Sequence, residues 1–308
     1  MNNFTHKAFI LTEDDSKYQT LLEQANLPEL EITTDKQQAT ILLASPPMAA
    51  NCLEQFPNLE WIQSIYAGVD ALTPQLENYY GELTNVKGIF GQQISEYVLG
   101  YLIQNQRHFK HYQEQQQQAN WRPIPYQSLN SLKMVILGTG SIGSYLATTA
   151  KAFGIHVSGV NRSGIPAKHS TFDMTYHIQE LHTAFSQADV IVNTLPNTAE
   201  TAGILNLNNL THCDQAILFN VGRGSALDEQ ALLEAINNNW ISHVYLDVFE
   251  NEPLNKEHPF WHHPDITVTP HIAALSFPEQ VVEIFIENYQ RWRDGFGLIN
   301  QVDVGKGY

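Results

Sequence analysis

A short glycine-rich segment constrains the fold of this 308-residue chain more than any other feature. It reads Gly138-Thr-Gly-Ser-Ile-Gly143, follows an apolar run at residues 134–138 and opens a helical pattern over residues 141–153. In a G-x-G-x-x-G segment between a strand and a helix, the first glycine permits a tight turn and the second lets backbone N–H groups approach a pyrophosphate. The third allows close packing of the helix on the strand. A glycine turn without a ligand is the alternative, but the flanking elements favour a dinucleotide-binding domain. The predicted cofactor contacts here are Gly138, Gly140, Ser141, Ile142 and Gly143.

Short apolar runs separated by helical stretches predict two parallel α/β units, because strands buried on both faces are apolar along their length. After the glycine segment, strands are expected at residues 156–161, 189–195, 216–221, 243–248 and 266–269, which makes six with residues 134–138. In the first hundred residues, strands are expected at residues 8–11, 40–44 and 61–66.

Two longer helical patterns are present, of which the first is expected to connect these units. One runs from Ile94 through the glutamine-rich residues 113–118 and ends before the segment Trp121-Arg-Pro-Ile-Pro125, whose prolines stop a helix. The other covers residues 278–292, has apolar residues at helical spacing and is expected to return to the first unit.

The charge balance and the cysteines exclude several classes of protein. Sixteen Lys+Arg stand against 32 Asp+Glu, a net charge of −16, and without a basic stretch this disfavours nucleic acid as a partner. Cys52 and Cys213 lie outside any metal-ligand or disulfide spacing, so no metal site is expected and the reduced cytoplasm fits best. No apolar stretch approaches the roughly 18 residues of a membrane span, so no membrane partner is expected.

The end of the second strand of the glycine-segment domain decides between the nicotinamide cofactors. An acid at this position would hydrogen-bond the adenosine ribose and repel a 2′-phosphate. The chain has Asn161 there instead, followed by Arg162 and Ser163, which offer a guanidinium and a hydroxyl to a phosphate. These three residues therefore predict binding of NADP(H) in preference to NAD(H). A solvated loop arginine that contacts nothing is the alternative.

Three polar segments follow predicted strands in the later half of the chain. They are residues 220–224 with Arg223, residues 247–254 with Glu252, and residues 269–274 with His271. Because ligands of such folds bind at the carboxyl edge of the sheet, these segments should meet there. With the glycine segment they make the chain similar, over essentially its whole length, to the D-isomer-specific 2-hydroxyacid dehydrogenase family. The glyoxylate/hydroxypyruvate reductase branch is the most similar part of that family.

The resemblance implies a fold and a set of domains. The fold is α/β, with two doubly wound parallel-sheet domains and a Rossmann cofactor domain inserted into a flavodoxin-like substrate domain. Residues 1–98 and 280–308 would form the substrate domain and residues 99–279 the dinucleotide-binding domain.

The resemblance also implies catalytic roles that agree with the chemical needs of 2-oxo acid reduction. Arg223 would hold the substrate carboxylate and polarise the carbonyl with its planar fork of donors. His271 would give the proton during reduction, and Glu252 would orient the imidazole and favour its protonated form. Taken singly, a histidine, arginine or glutamate after a strand is more often a cap, a surface charge or a satisfied polar residue, so the three roles depend on the residues occurring together.

Further family segments are expected along the cofactor and the substrate. Asp247 resembles the family aspartate near the nicotinamide carboxamide, and a strand-end acid without a ligand is its alternative. The remaining expected cofactor contacts are Leu195, Pro196 and Val221. The loop at residues 64–70 resembles the one whose N–H groups meet the substrate carboxylate, which makes Ala67 and Gly68 substrate-binding residues, with a plain turn as the alternative.

The expected function is reduction of a small 2-oxo acid, such as glyoxylate or hydroxypyruvate, by NADPH. A nucleotide-sensing, corepressor-like binding protein is an alternative of another class. A dehydrogenase for another 2-hydroxy acid, such as phosphoglycerate, is a third possibility, although the chain has few cations to hold a phosphate. The family resemblance further implies a homodimer.

Overall fold

The computed structural model describes residues 5–77 and 79–304. Its contacts divide the chain into two compact units, of which the first comprises the residues up to Ile89 and those from Ser276 onward. The second unit is Phe90–Leu275. The expected boundary between residues 98 and 99 falls inside a helix that these contacts assign whole to the second unit.

The two units contain strands and helices in alternation. The strands are β1 His6–Leu11, β2 Leu30–Ile32, β3 Ile41–Ala44, β4 Trp61–Ser64, β5 Glu82–Thr84, β6 Lys133–Leu137, β7 His156–Asn161, β8 Met174–His177, β9 Val190–Asn193, β10 Ala216–Asn220, β11 Ile241–Leu246 and β12 Ile266–Val268. The helices are α1 Asp15–Ala25, α2 Pro46–Ala50, α3 Phe90–Gln106, α4 Phe109–Gln117, α5 Ser141–Ala152, α6 Leu181–Phe185, α7 Leu207–Leu210, α8 Glu229–Asn237 and α9 Pro278–Arg293. None of the helices within the described ranges is long and apolar enough to cross a membrane.

The first unit is built on a parallel sheet with the strand order β2-β1-β3-β4-β5. This is the flavodoxin-like order, and it reverses between β1 and β3. The predicted strands at residues 8–11, 40–44 and 61–66 correspond to β1, β3 and β4. β2 and β5 were missed because each has only three residues and lies at an edge of the sheet, where an apolar run is not required.

The last helix of the described chain packs on the first sheet. Phe285 of α9 stacks on the indole of Trp61 in β4, with ring centroids 5.0 Å apart. The fully buried Asn288 of α9 donates from Nδ2 to Oε1 of Gln63 at 3.2 Å. Apolar stacking and a buried polar contact thus join α9 to the β-strands of the first unit, which are some 225 residues away in sequence.

The second unit is built on a parallel sheet with the order β12-β11-β10-β9-β6-β7-β8. Val98 of α3 and Leu146 of α5 belong to the core on one face, and Phe185 of α6 and Leu232 of α8 belong to the core on the other. The six expected strands are present, and β8 is a seventh. Its residues Met-Thr-Tyr-His are partly exposed at the sheet edge and lack the apolar run of a central strand. The two parallel sheets confirm the predicted fold class.

The prediction of one helix from Ile94 to residue 118 was wrong. α3 ends at Gln106, and α4 begins after His108, which adopts a left-handed conformation with φ of 55°. This conformation interrupts the helical hydrogen bonds, and histidine adopts it more readily than most residues. Nε2 of His108 is 2.9 Å from the carbonyl oxygen of Pro125, a contact between distant residues that a local helical pattern does not encode.

Candidate active site

The glycine segment forms the turn between β6 and α5. Gly138 has a φ of +104°, which favours glycine, and its N–H donates to the carbonyl oxygen of Val160 at 2.9 Å. A Cβ at Gly143 would lie 2.0 Å from the carbonyl oxygen of Gly138, so only a hydrogen atom fits between helix and turn. A Cβ at Gly140 would meet no heavy atom of the described chain within 4 Å. Gly140 therefore borders open space.

The backbone at this turn is suited to an anion. Ser141, Ile142 and Gly143 form the first turn of α5, and N–H groups at this position have no partner within their own helix. The helix dipole adds a partial positive charge at the same end. With the open space at Gly140, these groups fit the pyrophosphate of a dinucleotide.

The loops that flank this turn lie where the strand order reverses. β6 pairs with both β7 and β9, so the loop that follows β9 lies beside the glycine turn. Cδ2 of Leu195 would be 3.5 Å from a Cβ at Gly138, and Pro196 follows directly. Val221 follows β10, and its N–H donates to the carbonyl oxygen of Asn193 at 3.2 Å. Leu195 therefore lies beside the glycine turn, and Val221 lies beside the loop that follows β9.

Two buried asparagines, which were not among the residues predicted from the sequence, fix these loops. Asn193 ends β9 and Asn220 ends β10, and Nδ2 of Asn193 donates to Oδ1 of Asn220 at 2.9 Å. Nδ2 of Asn220 in turn donates to the carbonyl oxygen of Arg223 at 3.0 Å. Because both side chains are fully buried, loss of either partner would leave a polar group unsatisfied. The sequence feature that could have indicated Asn193 and Asn220 is the position of each as a polar residue at the carboxyl end of an otherwise apolar strand.

The three residues expected at the 2′-phosphate differ in their surroundings. Oδ1 of Asn161 accepts from the N–H groups of Ser163 and Gly164 at 3.0 and 2.7 Å, so this side chain shapes the turn. The hydroxyl of Ser163 also donates to Asn161, at 3.2 Å. The side chain of Arg162 is 62% exposed and lies 3.9 Å from the carboxylate of Glu200. An exposed pair at that distance contributes little free energy, so it does not hold Arg162 in place.

Arg223, Glu252 and His271 follow three neighbouring strands, β10, β11 and β12. Nδ1 of His271 lies 2.8 Å from Oε2 of Glu252, whose Oε1 accepts from the N–H of Phe249 at 2.9 Å. The side chain of His271 is 51% exposed, and its Nε2 has no hydrogen-bond partner within residues 5–77 and 79–304. Nε2 is therefore the atom of this pair that can exchange a proton with a bound molecule.

The histidine and the glutamate shift each other's pKa values. The hydrogen bond to Glu252 raises the pKa of His271, and it outweighs burial and the charge of Arg223, which lower it. Burial alone would raise the pKa of Glu252, but hydrogen bonds from His271 and Phe249 and the charges of His271 and Arg223 lower it. The pair therefore favours an imidazolium beside a carboxylate, which is the form of a proton donor.

For a reaction in which His271 gives a proton, substitution Glu252→Gln is expected to move the alkaline limb of the pH–rate profile to lower pH. A raised pKa keeps His271 protonated as the pH rises, and the substitution removes the principal cause of that raised pKa. At neutral pH, kcat should fall by about tenfold, a part of the roughly 10²–10⁴ that general acid catalysis contributes. Glu250→Gln, in an exposed residue of the same loop, is the matched control. An unmoved limb in Glu252→Gln would show that Glu252 does not set the protonation of His271.

Arg223 lies in a loop that packs against the loop carrying Glu252. A Cβ at Gly224 would fall 1.9 Å from the carbonyl carbon of Phe249, so glycine is required for this approach. Nη1 of Arg223 donates to the carbonyl oxygen of Gly222 at 2.8 Å. The charge of Arg223 lowers the pKa values of both Glu252 and His271, so the structure brings the three residues together.

Asp247 is buried and holds the segment that carries His271. Its Oδ1 accepts from the hydroxyl of Thr269 at 2.6 Å and from the N–H of Ile272 at 2.8 Å, and its Oδ2 accepts from the N–H of Ala273 at 2.9 Å. Its carbonyl oxygen accepts from the N–H of His271 at 2.9 Å. Asp247, which is expected from the sequence to bind the cofactor, thus also positions the histidine.

The loop expected to bind the substrate carboxylate belongs to the first unit. Oγ of Ser64 donates to the carbonyl oxygen of Tyr66 and accepts from its N–H, both at 2.9 Å. Nδ2 of Asn85 donates to the carbonyl oxygen of Ala67 at 2.6 Å. These bonds fix the backbone directly before Gly68.

The fold and these residues define a class, that of two-unit α/β oxidoreductases that use a dinucleotide. The glycine turn and the pair of His271 and Glu252 lie at the carboxyl edge of one sheet, so a bound nucleotide and a proton donor meet on the same edge. Among the described residues, no group of three or more His, Cys, Asp or Glu side chains is arranged to hold a metal ion.

Comparisons with known proteins identify the family. A family model described as D-isomer specific 2-hydroxyacid dehydrogenase, NAD binding domain, matches residues 99–273. Glyoxylate/hydroxypyruvate reductase A of Serratia proteamaculans is 33% identical over 314 residues, which cover 99% of each chain. The chain belongs to the D-isomer specific 2-hydroxyacid dehydrogenase family and is an oxidoreductase, which confirms the resemblance.

Two solved structures are similar over nearly the whole chain. A D-isomer specific 2-hydroxyacid dehydrogenase family protein from Aeromonas salmonicida subsp. salmonicida is 42% identical, with a TM-score of 0.91 over 97% of this chain and 99% of that one. A D-isomer specific 2-hydroxyacid dehydrogenase from Xanthobacter autotrophicus, in complex with NADPH and MES, is 27% identical, with a TM-score of 0.88 over 99% and 100%.

Proposed function

We propose that this protein reduces a small 2-oxo acid of the glyoxylate or hydroxypyruvate type to the 2-hydroxy acid with NADPH. The observation that carries the proposal is the 2.8 Å contact between His271 and Glu252, which leaves Nε2 of the histidine for the substrate. The name of the Serratia proteamaculans relative supports the choice of substrate.

The residues divide the chemistry among them. NADPH supplies a hydride when it is bound. Arg223 binds the substrate carboxylate and polarises the carbonyl, because its guanidinium presents paired donors to an anion. His271 gives a proton from Nε2 to the carbonyl oxygen as negative charge develops there, and Glu252 stabilises the imidazolium before the transfer. Ala67 and Gly68 bind the substrate carboxylate through their backbone N–H groups.

The cofactor contacts follow from the glycine turn and the loops beside it. The pyrophosphate binds at the residues of the turn and the first turn of α5, namely Gly138, Gly140, Ser141, Ile142 and Gly143. Leu195, Pro196, Val221 and Asp247 bind the rest of the cofactor toward the nicotinamide. Arg162 and Ser163 bind the 2′-phosphate on the turn that Asn161 shapes, which favours NADPH. The NADPH complex of the Xanthobacter autotrophicus relative supports this preference.

Substitution Arg162→Ala is expected to lower kcat/KM for NADPH by about 10–100-fold and to leave kcat/KM for NADH nearly unchanged. A charge-assisted hydrogen bond to a phosphate contributes about 1.5–3 kcal/mol, and only NADPH carries that phosphate. Lys133→Ala removes an exposed cation from the amino end of β6, at the opposite edge of the same sheet, and is the control. Equal losses with both cofactors would contradict a 2′-phosphate role.

The protein is further proposed to act as a cytoplasmic homodimer. Phe109, Trp121 and Tyr126, on and after α4, are 45%, 98% and 56% exposed, and large aromatic side chains are enriched at protein interfaces. Cys52 and Cys213 are both free thiols, as suits a reducing compartment. Sedimentation equilibrium should return twice the mass of one chain.

Initial rates of cofactor oxidation test the proposed reaction. Glyoxylate, hydroxypyruvate, pyruvate and phosphohydroxypyruvate should be compared at matched concentrations with NADPH and with NADH. Rapid oxidation of NADPH with glyoxylate and hydroxypyruvate is the expected result. Nucleotide binding without turnover of any pair would contradict the reductase and favour a nucleotide-sensing protein.

A further inference from the structure

A carboxylate lies at the switch point of the first sheet and has no part in the reaction described above. Glu13 follows β1, which pairs with β3, and Ser45 follows β3. In the order β2-β1-β3-β4-β5 the reversal falls between these two strands, and ligands of open parallel sheets bind in the crevice outside such a reversal. Glu13 therefore stands at the mouth of the crevice that the topology creates.

Two hydroxyl groups hold this carboxylate. Oγ of Ser45, which is fully buried, donates to Oε1 of Glu13 at 2.8 Å, and Oη of Tyr66 donates to the same oxygen at 3.0 Å. The second oxygen, Oε2, receives no hydrogen bond from any described residue. Although the side chain of Glu13 is exposed, one of its oxygens is fixed and the other is open to a ligand.

The phenol groups nearby respond to the charge of Glu13. Burial and then the charge of Glu13 raise the pKa of Tyr18, a buried residue of α1 whose Oη has no hydrogen-bond partner among the described residues. Burial also raises the pKa of Tyr66, and Glu13 adds to the effect. Both hydroxyls thus stay neutral, and Glu13 supplies the negative charge of the corner formed by Glu13, Tyr18, Ser45 and Tyr66.

Tyr66 connects this corner to the loop proposed to bind the substrate carboxylate. Its backbone is fixed on both sides by Ser64, and the next residue, Ala67, is held by Asn85. Its side chain reaches Glu13. The carboxylate of Glu13 is therefore only one tyrosine side chain away from Ala67 and Gly68.

We propose that Glu13 is a specificity-determining residue that selects 2-oxo acids with a neutral substituent against those with a second anionic group. The proposal rests on the proposed function, since it takes Ala67 and Gly68 as the loop that binds the substrate carboxylate. A fixed negative charge near a binding site opposes a phosphate or a second carboxylate there, and the effect falls off over a Debye length of roughly 8–10 Å. The excluded class is that of phosphorylated and dicarboxylic 2-oxo acids.

Substitution Glu13→Gln tests this proposal, because it removes the charge and keeps the shape. The measurement is the ratio of kcat/KM for phosphohydroxypyruvate to kcat/KM for hydroxypyruvate, with NADPH at saturation. The ratio should rise by about 5–20-fold, the order expected for a screened unit charge at this range. Glu60→Gln, directly before β4 at the amino edge of the same sheet, removes an equal charge and should leave the ratio unchanged.

Two further readouts separate electrostatic selection from a change of shape. In the wild type the ratio should rise with ionic strength, whereas in Glu13→Gln it should respond less. Tyr66→Phe keeps the ring and removes the hydroxyl that holds Glu13, so it should give a smaller rise in the ratio.

An unchanged ratio in Glu13→Gln, with normal turnover of hydroxypyruvate, would overturn the role of Glu13. Failure of the wild type to reduce either acid would instead reject the proposed function and remove this inference with it.

Discussion

Substitution His271→Ala is expected to lower kcat for 2-oxo acid reduction by about 10²–10⁴-fold and to leave the Kd for NADPH nearly unchanged. Alanine removes the imidazole of His271, whose Nε2 has no hydrogen-bond partner among the described residues. The developing alkoxide therefore loses its proton donor. The measurements are steady-state rates with hydroxypyruvate and titration of NADPH by fluorescence.

A matched variant makes the result specific to this histidine. His262→Ala changes an exposed histidine in the segment that precedes β12, and it should retain wild-type kcat. Retention of kcat by His271→Ala would remove the histidine from the mechanism. A loss of NADPH affinity equal to the loss of kcat would instead assign His271 to the cofactor.

Alanine substitutions at two glycines of the same turn should have opposite effects. At Gly140 the new Cβ meets no described atom, and the φ of −75° is ordinary for alanine, so the melting temperature should stay within about 2 °C of the wild type. The methyl group would occupy the space of the pyrophosphate, and the Kd for NADPH should rise by about 100-fold. At Gly143 the Cβ would overlap the carbonyl oxygen of Gly138, and unfolding free energy should fall by about 3 kcal/mol.

Thermal unfolding and NADPH titration of the two variants separate nucleotide binding from folding. An undiminished NADPH affinity in Gly140→Ala would exclude the turn as the pyrophosphate site. An undiminished melting temperature in Gly143→Ala would show that α5 can move away from the turn at little cost in free energy.

The sequence predicted the elements whose burial is the same along their whole length. Residues 134–137, 190–192 and 216–219 are apolar and buried because helices cover both faces of those central strands, and the apolar runs in the sequence indicate this directly. Edge strands such as β8 are less buried by neighbouring elements, so their residues are less apolar and the sequence predicts these strands less clearly. The glycine turn was predictable because the positive φ of Gly138 and the close contact at Gly143 are both local, within six residues of the chain.

The parts of the site that depend on distant contacts could not be predicted. The sequence shows that Asp247 is an acid at the end of a strand. Its hydrogen bonds to residues 269–273, however, follow only from the pairing of β11 with β12. Asn193 and Asn220 bond to each other across two strands that are 27 residues apart in sequence. The left-handed His108 ends a helix that local periodicity would continue.

The fit of Gly224 against Phe249 bears on how the substrate range of such an enzyme can change. The loops after β10 and β11 share van der Waals space with no room for an added methyl group, and Asp247 fastens the segment after β12. Random variation in these three loops would therefore mostly yield inactive or unfolded proteins. A library intended to produce new substrate preferences should instead vary Glu13 and Tyr66 of the first unit, which lie outside the proton-transfer pair.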